Sequence, residues 1–206
     1  MAPTDDAPET LTEFRARVRA FFADLPNLLD RHDGTMARAK AFRRALCDEG
    51  LAGISYPTDV GGAGLPAEYE GAFNDESRDL MPGEAAMFGI GLGMTVPTLL
   101  DHASRELQQR FIPPALRGDE IWCQLYSEPG AGSDLAGLTT KAVRDGDEWI
   151  VSGQKVWTSG AQHADLGILI ARTDFDVPKH SGITMFAIPM DQPGVTVRPL
   201  VQMTGV

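Results

Sequence analysis

The stretch Ser127-Glu128-Pro129-Gly130-Ala131-Gly132-Ser133-Asp134 lies where the sequence changes from a helical pattern to a strand pattern. It places two glycines, a proline and several short oxygen-bearing side chains close together. This composition is typical of a loop whose backbone approaches another group closely, because glycine has no Cβ to hold that group away. Backbone N–H groups and hydroxyls in such a loop favour a polar, phosphorylated ligand. Taken alone, the stretch is more often a sharp turn between strands.

A second stretch, Gly153-Gln154-Lys155-Val156-Trp157-Thr158-Ser159, follows further along the chain. It sets an indole beside two hydroxyl groups, which suits a flat heteroaromatic ring that also needs hydrogen bonds. The alternative for this stretch is a core tryptophan at the end of a strand. In this order and spacing, the two stretches together predict a flavin site.

The residues before these stretches have helical periodicity. Thr10-Leu11-Thr12-Glu13 has the form of a capping box. Apolar residues then recur at three- and four-residue steps until Pro26, which should end or bend the helix. Further helical segments are predicted at Thr35–Glu49, from Pro66 onward, at Ala85–Leu100 as a buried helix, and at Ser104–Phe111. Pro113-Pro114 should stop the last of these.

From Ile121 the period of the apolar residues changes to two, which is typical of strands. Asp145-Gly146 lies between two such runs and predicts a β-hairpin. The continuous apolar run Leu166–Ala171 suits a strand that is buried on both faces. The predicted strands are Ile121–Tyr126, Lys141–Arg144, Glu148–Val151, Leu166–Ala171, Gly182–Ile188 and Val195–Leu200.

These patterns predict an α+β fold with two domains and a boundary near Gly118-Asp119. An N-terminal all-α helical domain, residues 1–119, is followed by an antiparallel β-barrel or sandwich-like domain, residues 120–206. Val195–Val206 has the pattern of a strand and of the start of another element, without a cap or polar tail. We therefore expect the β domain to be incomplete at its C-terminal end and the chain to be the front portion of something longer.

The composition argues against several classes of function. The net charge is −11 and the basic residues are scattered, whereas a nucleic-acid partner needs clustered Lys and Arg. The two cysteines lie in apolar segments and predict a reduced, cytoplasmic protein. Met1–Glu9 has no features of an export signal, and the uncharged run is too short and too broken to span a membrane. The four histidines lack metal-ligand spacing, so we expect no metal site.

Three segments together closely resemble the acyl-CoA dehydrogenases: Ser127–Asp134, Gly146–Ser159 and Ala164–Asp174. Tyr56-Pro57 and Gly61-Gly62-Ala63-Gly64 fit the helical front domain of the same family. The resemblance covers nearly the whole chain. It implies an FAD-dependent enzyme that introduces a Cα–Cβ double bond into an acyl-CoA thioester, here truncated before the family's C-terminal helical bundle.

The resemblance also implies roles for individual residues. The segment from Gln124 to Ser133 would line the FAD, with the Ser127 hydroxyl at the pyrimidine end of the ring and Ser133 where flavin and acyl-CoA meet. Trp157 to Ser159 would cover the isoalloxazine, with the Ser159 hydroxyl near N5, the hydride acceptor. The implied cofactor-binding residues are Gln124, Leu125, Tyr126, Ser127, Gly130, Ala131, Gly132, Ser133, Trp157, Thr158 and Ser159, and Ser133 is also the implied substrate-binding residue.

The sequence departs from the family pattern in places. Many members carry threonine where this chain has Ser127 and Ser159, and often an aromatic residue where Gln124 stands. The family takes the substrate's α-proton with a carboxylate from the C-terminal helical domain, so no catalytic base is expected in this chain. Glu128, beside Pro129, is expected to brace the loop.

By analogy with the family, electrons would pass to an electron-transfer flavoprotein, and the complete protein would form a homo- or hetero-oligomer. Two alternatives remain open at this point. The chain could be a non-catalytic fragment or a partner subunit in a mixed assembly. It could also belong to a flavin oxidase or monooxygenase on the same scaffold, for which oxygen reactivity matters more than CoA.

Overall fold

The computed structural model describes residues 9–200, and these residues fall into two compact units. The helical unit runs to Asp119, except that Gly93–Thr95 group with the second unit. The second unit continues from Glu120 and contains the strands. The change of unit falls after Asp119. Two expectations, the absence of an export signal at the amino end and the start of a further element at the carboxyl end, fall on residues outside the described range.

Within residues 9–200 the helical unit is built from α1 (Leu11–Leu29), α2 (Thr35–Asp48), α3 (Ala67–Ser77), α4 (Val96–His102) and α5 (Arg105–Arg117). The predicted capping box opens α1: the Glu13 N–H donates to Thr10 Oγ1 (3.3 Å), and the Thr10 N–H donates to Glu13 Oε2 (2.8 Å). The core lies where α1, α2 and α3 meet. Its buried members include Phe14, Val18, Phe22, Leu25, Leu29, Phe42, Leu46, Tyr69 and Ala72.

Prolines lie inside two helices, at points where the sequence predicts an end or a bend (Pro26) and a stop (Pro113-Pro114). The helix α1 continues through Pro26, and α5 passes through Pro113-Pro114. Proline removes one helical hydrogen bond, but the apolar residues beside these prolines are buried, and their packing outweighs the loss. The predicted stop at Pro113-Pro114 was therefore wrong, and of the two outcomes predicted at Pro26, an end or a bend, the end does not occur. The buried residues beside the prolines are Leu25, Leu29, Ile112, Ala115 and Leu116.

The uncharged run does not form the one buried helix that the sequence predicts. A 3₁₀ segment at Gly83–Phe88 and a π-helical turn at Gly91–Thr95 precede α4. Most side chains of the run are only half-buried. Three glycines and Pro97 interrupt regular hydrogen bonding, which explains the broken geometry. No helix within residues 9–200 has both the length and the apolar character needed to cross a membrane.

The second unit contains a mixed sheet of five strands: β1 (Trp122–Leu125), β2 (Lys141–Asp145), β3 (Glu148–Ser152), β4 (Leu166–Arg172) and β5 (Ile183–Pro189). The strand β4 lies at its centre. It is antiparallel to β5 along its whole length and parallel to β1 and, at Arg172, to β2. The predicted hairpin joins β2 to β3 through Gly146, which has φ +61°. As predicted, Leu166–Ala171 is buried on both faces.

The predicted fold class, a helical domain followed by a β domain, is confirmed. Antiparallel pairing was right for β2 with β3 and for β4 with β5, and wrong for β4 with β1 and β2. The period of two does not reveal strand direction, and the long connection from β1 to β4 permits a parallel crossover.

The strand predicted at Val195–Leu200 is not formed. The Val195 N–H instead donates to the Gln192 carbonyl (3.3 Å) in a turn, and Pro199 has no N–H to offer a neighbouring strand.

Candidate functional site

A tight turn follows β1 and carries the first group of predicted site residues. The Glu128 N–H donates to the Ala131 carbonyl (2.8 Å), and the Ala131 N–H donates back to the Glu128 carbonyl (3.1 Å). Ala131 is buried, and it packs with Leu138 and Ile170 beneath the turn. These contacts hold Gly130, Gly132 and Ser133 at the surface, where all three are exposed.

The glycines of this turn have no structural reason to be glycine. An added Cβ at Gly130 or Gly132 would meet no atom within 4 Å. Neither residue has the positive φ that favours glycine. Gly153 differs, because a Cβ there would lie 2.7 Å from the Cα of Thr140. The open space above Gly130 and Gly132 is what a closely approaching ligand needs.

Trp157 is the most unusual residue of the second group. Its backbone is left-handed, with φ 61°, and its side chain is 72% exposed. A left-handed conformation costs a residue with a Cβ about 1–2 kcal/mol. An exposed indole in such a conformation does not contribute to a core, so the core-tryptophan alternative is wrong. Strained residues of this kind cluster at ligand sites.

The two hydroxyl residues after Trp157 have different surroundings. Thr158 Oγ1 is buried and has no hydrogen-bond partner among the described residues. A buried polar atom without a partner is costly, so it points to a missing donor or acceptor. Ser159 is exposed, and its N–H donates to the Trp157 carbonyl (3.2 Å). A ligand with a polar aromatic ring could stack on the Trp157 indole and form a hydrogen bond with the Thr158 hydroxyl.

A cavity of about 1340 Å³ lies against this second group. Leu125, Trp157, Thr158 and Ser159 line it, together with residues of β3 and of the segment after β5. Small-molecule pockets usually measure about 300–1,000 Å³, so this cavity is larger than most of them.

The remaining predicted site residues do not line that cavity. Gln124 is half-buried in β1, opposite Ile168 of β4. Tyr126 packs beside Ala131 in a separate cluster, and burial raises the pKa of its phenol. The structure therefore brings Leu125 together with the 157–159 segment, and the exposed turn residues Gly130, Gly132 and Ser133 do not line this cavity.

The two groups are nevertheless joined directly. The Val156 N–H donates to the Ser127 carbonyl (2.8 Å). Lys155 Nζ lies 2.9 Å from Glu128 Oε1 and also donates to the Tyr126 carbonyl (2.9 Å). The predicted bracing role of Glu128 is confirmed. The sequence analysis did not assign a role to Lys155. The signal was available, because Lys155 is the single lysine in the stretch that follows the strand.

Glu128 stays ionised in this environment. Burial by itself raises its pKa, but hydrogen bonds from Thr140, Thr139 and Lys155 outweigh burial and hold the pKa far below its usual range. Burial lowers the pKa of Lys155, and the carboxylate of Glu128 opposes that change. A carboxylate so strongly stabilised in its charged form does not take up a proton readily, so Glu128 is unsuited to general-base chemistry.

The helical unit and the sheet unit each match a model of one protein family. The acyl-CoA dehydrogenase N-terminal domain matches residues 8–119, and the acyl-CoA dehydrogenase middle domain matches residues 123–206. The chain belongs to the acyl-CoA dehydrogenase family.

Relatives from Mycobacterium tuberculosis agree with this assignment. Acyl-CoA dehydrogenase FadE34 is 47% identical over 161 residues, which are 78% of this chain and 22% of the relative. Acyl-CoA dehydrogenase IpdE1 is 39% identical over 210 residues, covering 96% of this chain and 54% of the relative. The chain thus spans about half of one relative's length and about a fifth of the other's.

Solved structures share the architecture. One, described as the Tcur3481-Tcur3483 steroid ACAD, has a TM-score of 0.75 at 35% identity and covers 97% of this chain and 52% of its own. A glutaryl-CoA dehydrogenase from Mycobacterium smegmatis in complex with FADH2 has a TM-score of 0.65 at 27% identity, covering 91% of this chain and 47% of its own. This last structure holds a reduced flavin on the same architecture.

Proposed function

We propose that this chain forms the FAD-binding part of an acyl-CoA dehydrogenase, which introduces a Cα–Cβ double bond into an acyl-CoA thioester. The observation that carries the proposal is the surface at Trp157 and Thr158. There a strained, exposed indole stands beside an unpaired hydroxyl at the edge of a cavity of about 1340 Å³. Family membership and the flavin held by a solved relative support FAD as the ligand.

The residues of the chain would divide the work of holding this cofactor. When bound, FAD supplies a hydride acceptor. Trp157 would cover a face of the flat ring, and Thr158 and Ser159 would offer it hydrogen bonds. Gly130 and Gly132 would let the backbone approach the ligand without interference from a Cβ.

The substrate side of the proposal rests on Ser133, whose exposed position leaves it accessible to an acyl-CoA thioester. No base is assigned within residues 9–200, and Glu128, the carboxylate inside the turn, is unsuited to that role because several hydrogen bonds hold it in its ionised form. The electron acceptor proposed by analogy is an electron-transfer flavoprotein.

The flavin absorbance of the purified chain tests the proposal. We expect FAD to be retained, and bleaching of its oxidised-flavin absorbance by butyryl-, octanoyl- or palmitoyl-CoA without oxygen would indicate that this chain carries out the dehydrogenation by itself. Failure to bind FAD would contradict the site. Rapid oxygen consumption after reduction would favour the oxidase or monooxygenase alternative.

A valine at Gly132 tests whether the absence of a Cβ in the exposed turn is needed for FAD binding. Gly132→Val should weaken FAD binding at least about 10-fold, because the side chain fills the space needed for close approach, while the fold is retained. Gly71→Val is the matched control, since Gly71 is also exposed with no atom within 4 Å of an added Cβ, but lies in α3. Equal FAD affinity in both variants would remove the turn from the site. Fluorescence titration with FAD measures the affinity.

A second candidate is a partner subunit in a mixed assembly. The solved ACAD described by two protein designations, Tcur3481-Tcur3483, favours this candidate. FAD that is retained but not bleached by any acyl-CoA would support it, and bleaching by the isolated chain would contradict it.

A further inference from the structure

Glu128 and Lys155 form a buried ion pair between the two groups of site residues. Their charged atoms lie 2.9 Å apart, and their side chains are only 3% and 7% exposed. Burying two charges is expensive, and well-packed apolar residues in their place are often as stable or more stable. Stability alone is therefore a weak explanation for a pair at this location.

Hydrogen bonds compensate both charges. Glu128 Oε2 accepts from the N–H and the hydroxyl of Thr139 (2.7 Å each), and Oε1 accepts from the Thr140 N–H (2.9 Å). Lys155 Nζ donates to the carboxylate and to the Tyr126 carbonyl (2.9 Å each). The close approach of Gly153 to Thr140 brings the segment after β3 to the same point. Three separate stretches of chain thus converge on one carboxylate.

The pair stands directly beside the proposed flavin contacts. Glu128 is adjacent to Ser127 and begins the turn that presents Gly130 and Gly132. Lys155 precedes Trp157 by two positions. The Val156 N–H, which follows Lys155 in the chain, donates to the carbonyl of Ser127, which precedes Glu128. Loss of the pair would release both groups at their point of contact.

We propose that Glu128 and Lys155 are positioning residues that hold the turn at 127–133 and the segment at 155–159 in the arrangement that the flavin requires. The proposal deepens the proposed function and rests on it for the identity of the ligand. The pair itself does not touch the reacting atoms. Its effect is to order the surface before the ligand arrives, which reduces the entropy lost on binding.

Amide hydrogen exchange of the chain without flavin tests the positioning role independently of FAD. In Glu128→Gln and Lys155→Met, exchange of the Val156 and Ala131 amides should become about 10- to 100-fold faster, with the amides between β4 and β5 unchanged. Lys179→Met is the control, because it removes an exposed ion pair to Asp134 in the same unit. Unchanged exchange at Val156, or equal acceleration throughout the sheet, would overturn the proposal.

FAD binding supplies the second readout. Glu128→Gln and Lys155→Met should weaken FAD affinity by about 10-fold or more and alter the visible circular dichroism of bound flavin at saturation, because the ring environment is loosened. Lys155→Arg keeps the charge and should restore both properties at least in part. A normal affinity and spectrum in all variants would overturn the positioning role. If the unaltered chain binds no FAD, the proposed function fails, and the exchange experiment still decides whether the pair orders the two segments.

Discussion

At the scale of single residues, the strained backbone of Trp157 indicates a functional role. A left-handed backbone costs conformational energy, and a side chain that is 72% exposed returns little of it through packing. The same feature is useful if the indole must stand outside the sheet and face a ligand. Gly130 and Gly132 also indicate a ligand site, because the protein itself leaves space for a Cβ at both positions.

Replacing Trp157 separates folding from binding. In Trp157→Gly the left-handed conformation carries no penalty, and little packing is lost, so the free energy of unfolding should stay constant or rise by up to about 1 kcal/mol. FAD affinity should fall, because the ring loses its aromatic cover. Urea unfolding and FAD titration of the same samples measure the two quantities. A large loss of stability would show that the indole is structural.

At the scale of elements, α1 and α5 show tertiary packing overriding a local signal. Each helix contains proline within its span, yet each continues because its flanking apolar residues are buried. The strand predicted at Val195–Leu200 shows the opposite outcome, because an apolar alternation has no effect unless a neighbouring strand pairs with it.

Pro26 in α1 offers a measurable consequence. Pro26→Ala restores an N–H that can donate to the preceding turn, so the free energy of unfolding should rise by about 1–2 kcal/mol, after allowance for the more flexible unfolded chain. Pro66→Ala is the control, because Pro66 caps α3 and is not inside the helix. Its effect should stay within about 0.5 kcal/mol. Chemical denaturation measures both, and an unchanged or lower stability for Pro26→Ala would contradict the argument.

At the scale of the whole molecule, ionised carboxylates support both units. Hydrogen bonds from Arg15 and Arg19 lower the pKa of Glu76, and the bond from Arg17 lowers the pKa of Glu9. In the sheet unit the pKa of Glu128, which is buried, is also lowered by hydrogen bonds. Groups with a lowered folded-state pKa stabilise the protein above their unfolded pKa and lose that effect as the pH falls through the folded value.

The free energy of unfolding should therefore hold steady from pH 7 to about 5 and fall below about pH 4.3, the usual pKa of glutamate in an unfolded chain. Glu128→Gln should flatten that fall, because its carboxylate is the most deeply buried of the group. Glu13→Gln removes an exposed carboxylate at the capping box and should change the slope less. Urea titrations at several pH values measure the slope. An identical slope for Glu128→Gln and the unaltered chain would contradict this account.

Prediction from sequence succeeded where the signal is local. The capping box at Thr10, the hairpin at Gly146 and the buried run at Leu166–Ala171 depend on near neighbours, and all three are present. Strand direction was not accessible, because it depends on which distant strand pairs with β4. For the candidate site, the sequence named four residues that line the cavity, Leu125 and Trp157 to Ser159, and named Glu128 as a brace, but it did not identify Lys155 as its partner.

By itself the sequence determined that a helical domain precedes a β domain, and that glycine, serine and tryptophan stretches of one family follow in order. Periodicity and motif composition are properties of the amino-acid sequence, so they can be recognised without the tertiary structure. Only the tertiary structure decided that Glu128 meets Lys155, that Trp157 is strained and exposed, and that Tyr126 and Ala131 pack away from the cavity. The ion pair joins residues far apart in the chain, and exposure and packing depend on the whole fold, which no local pattern encodes.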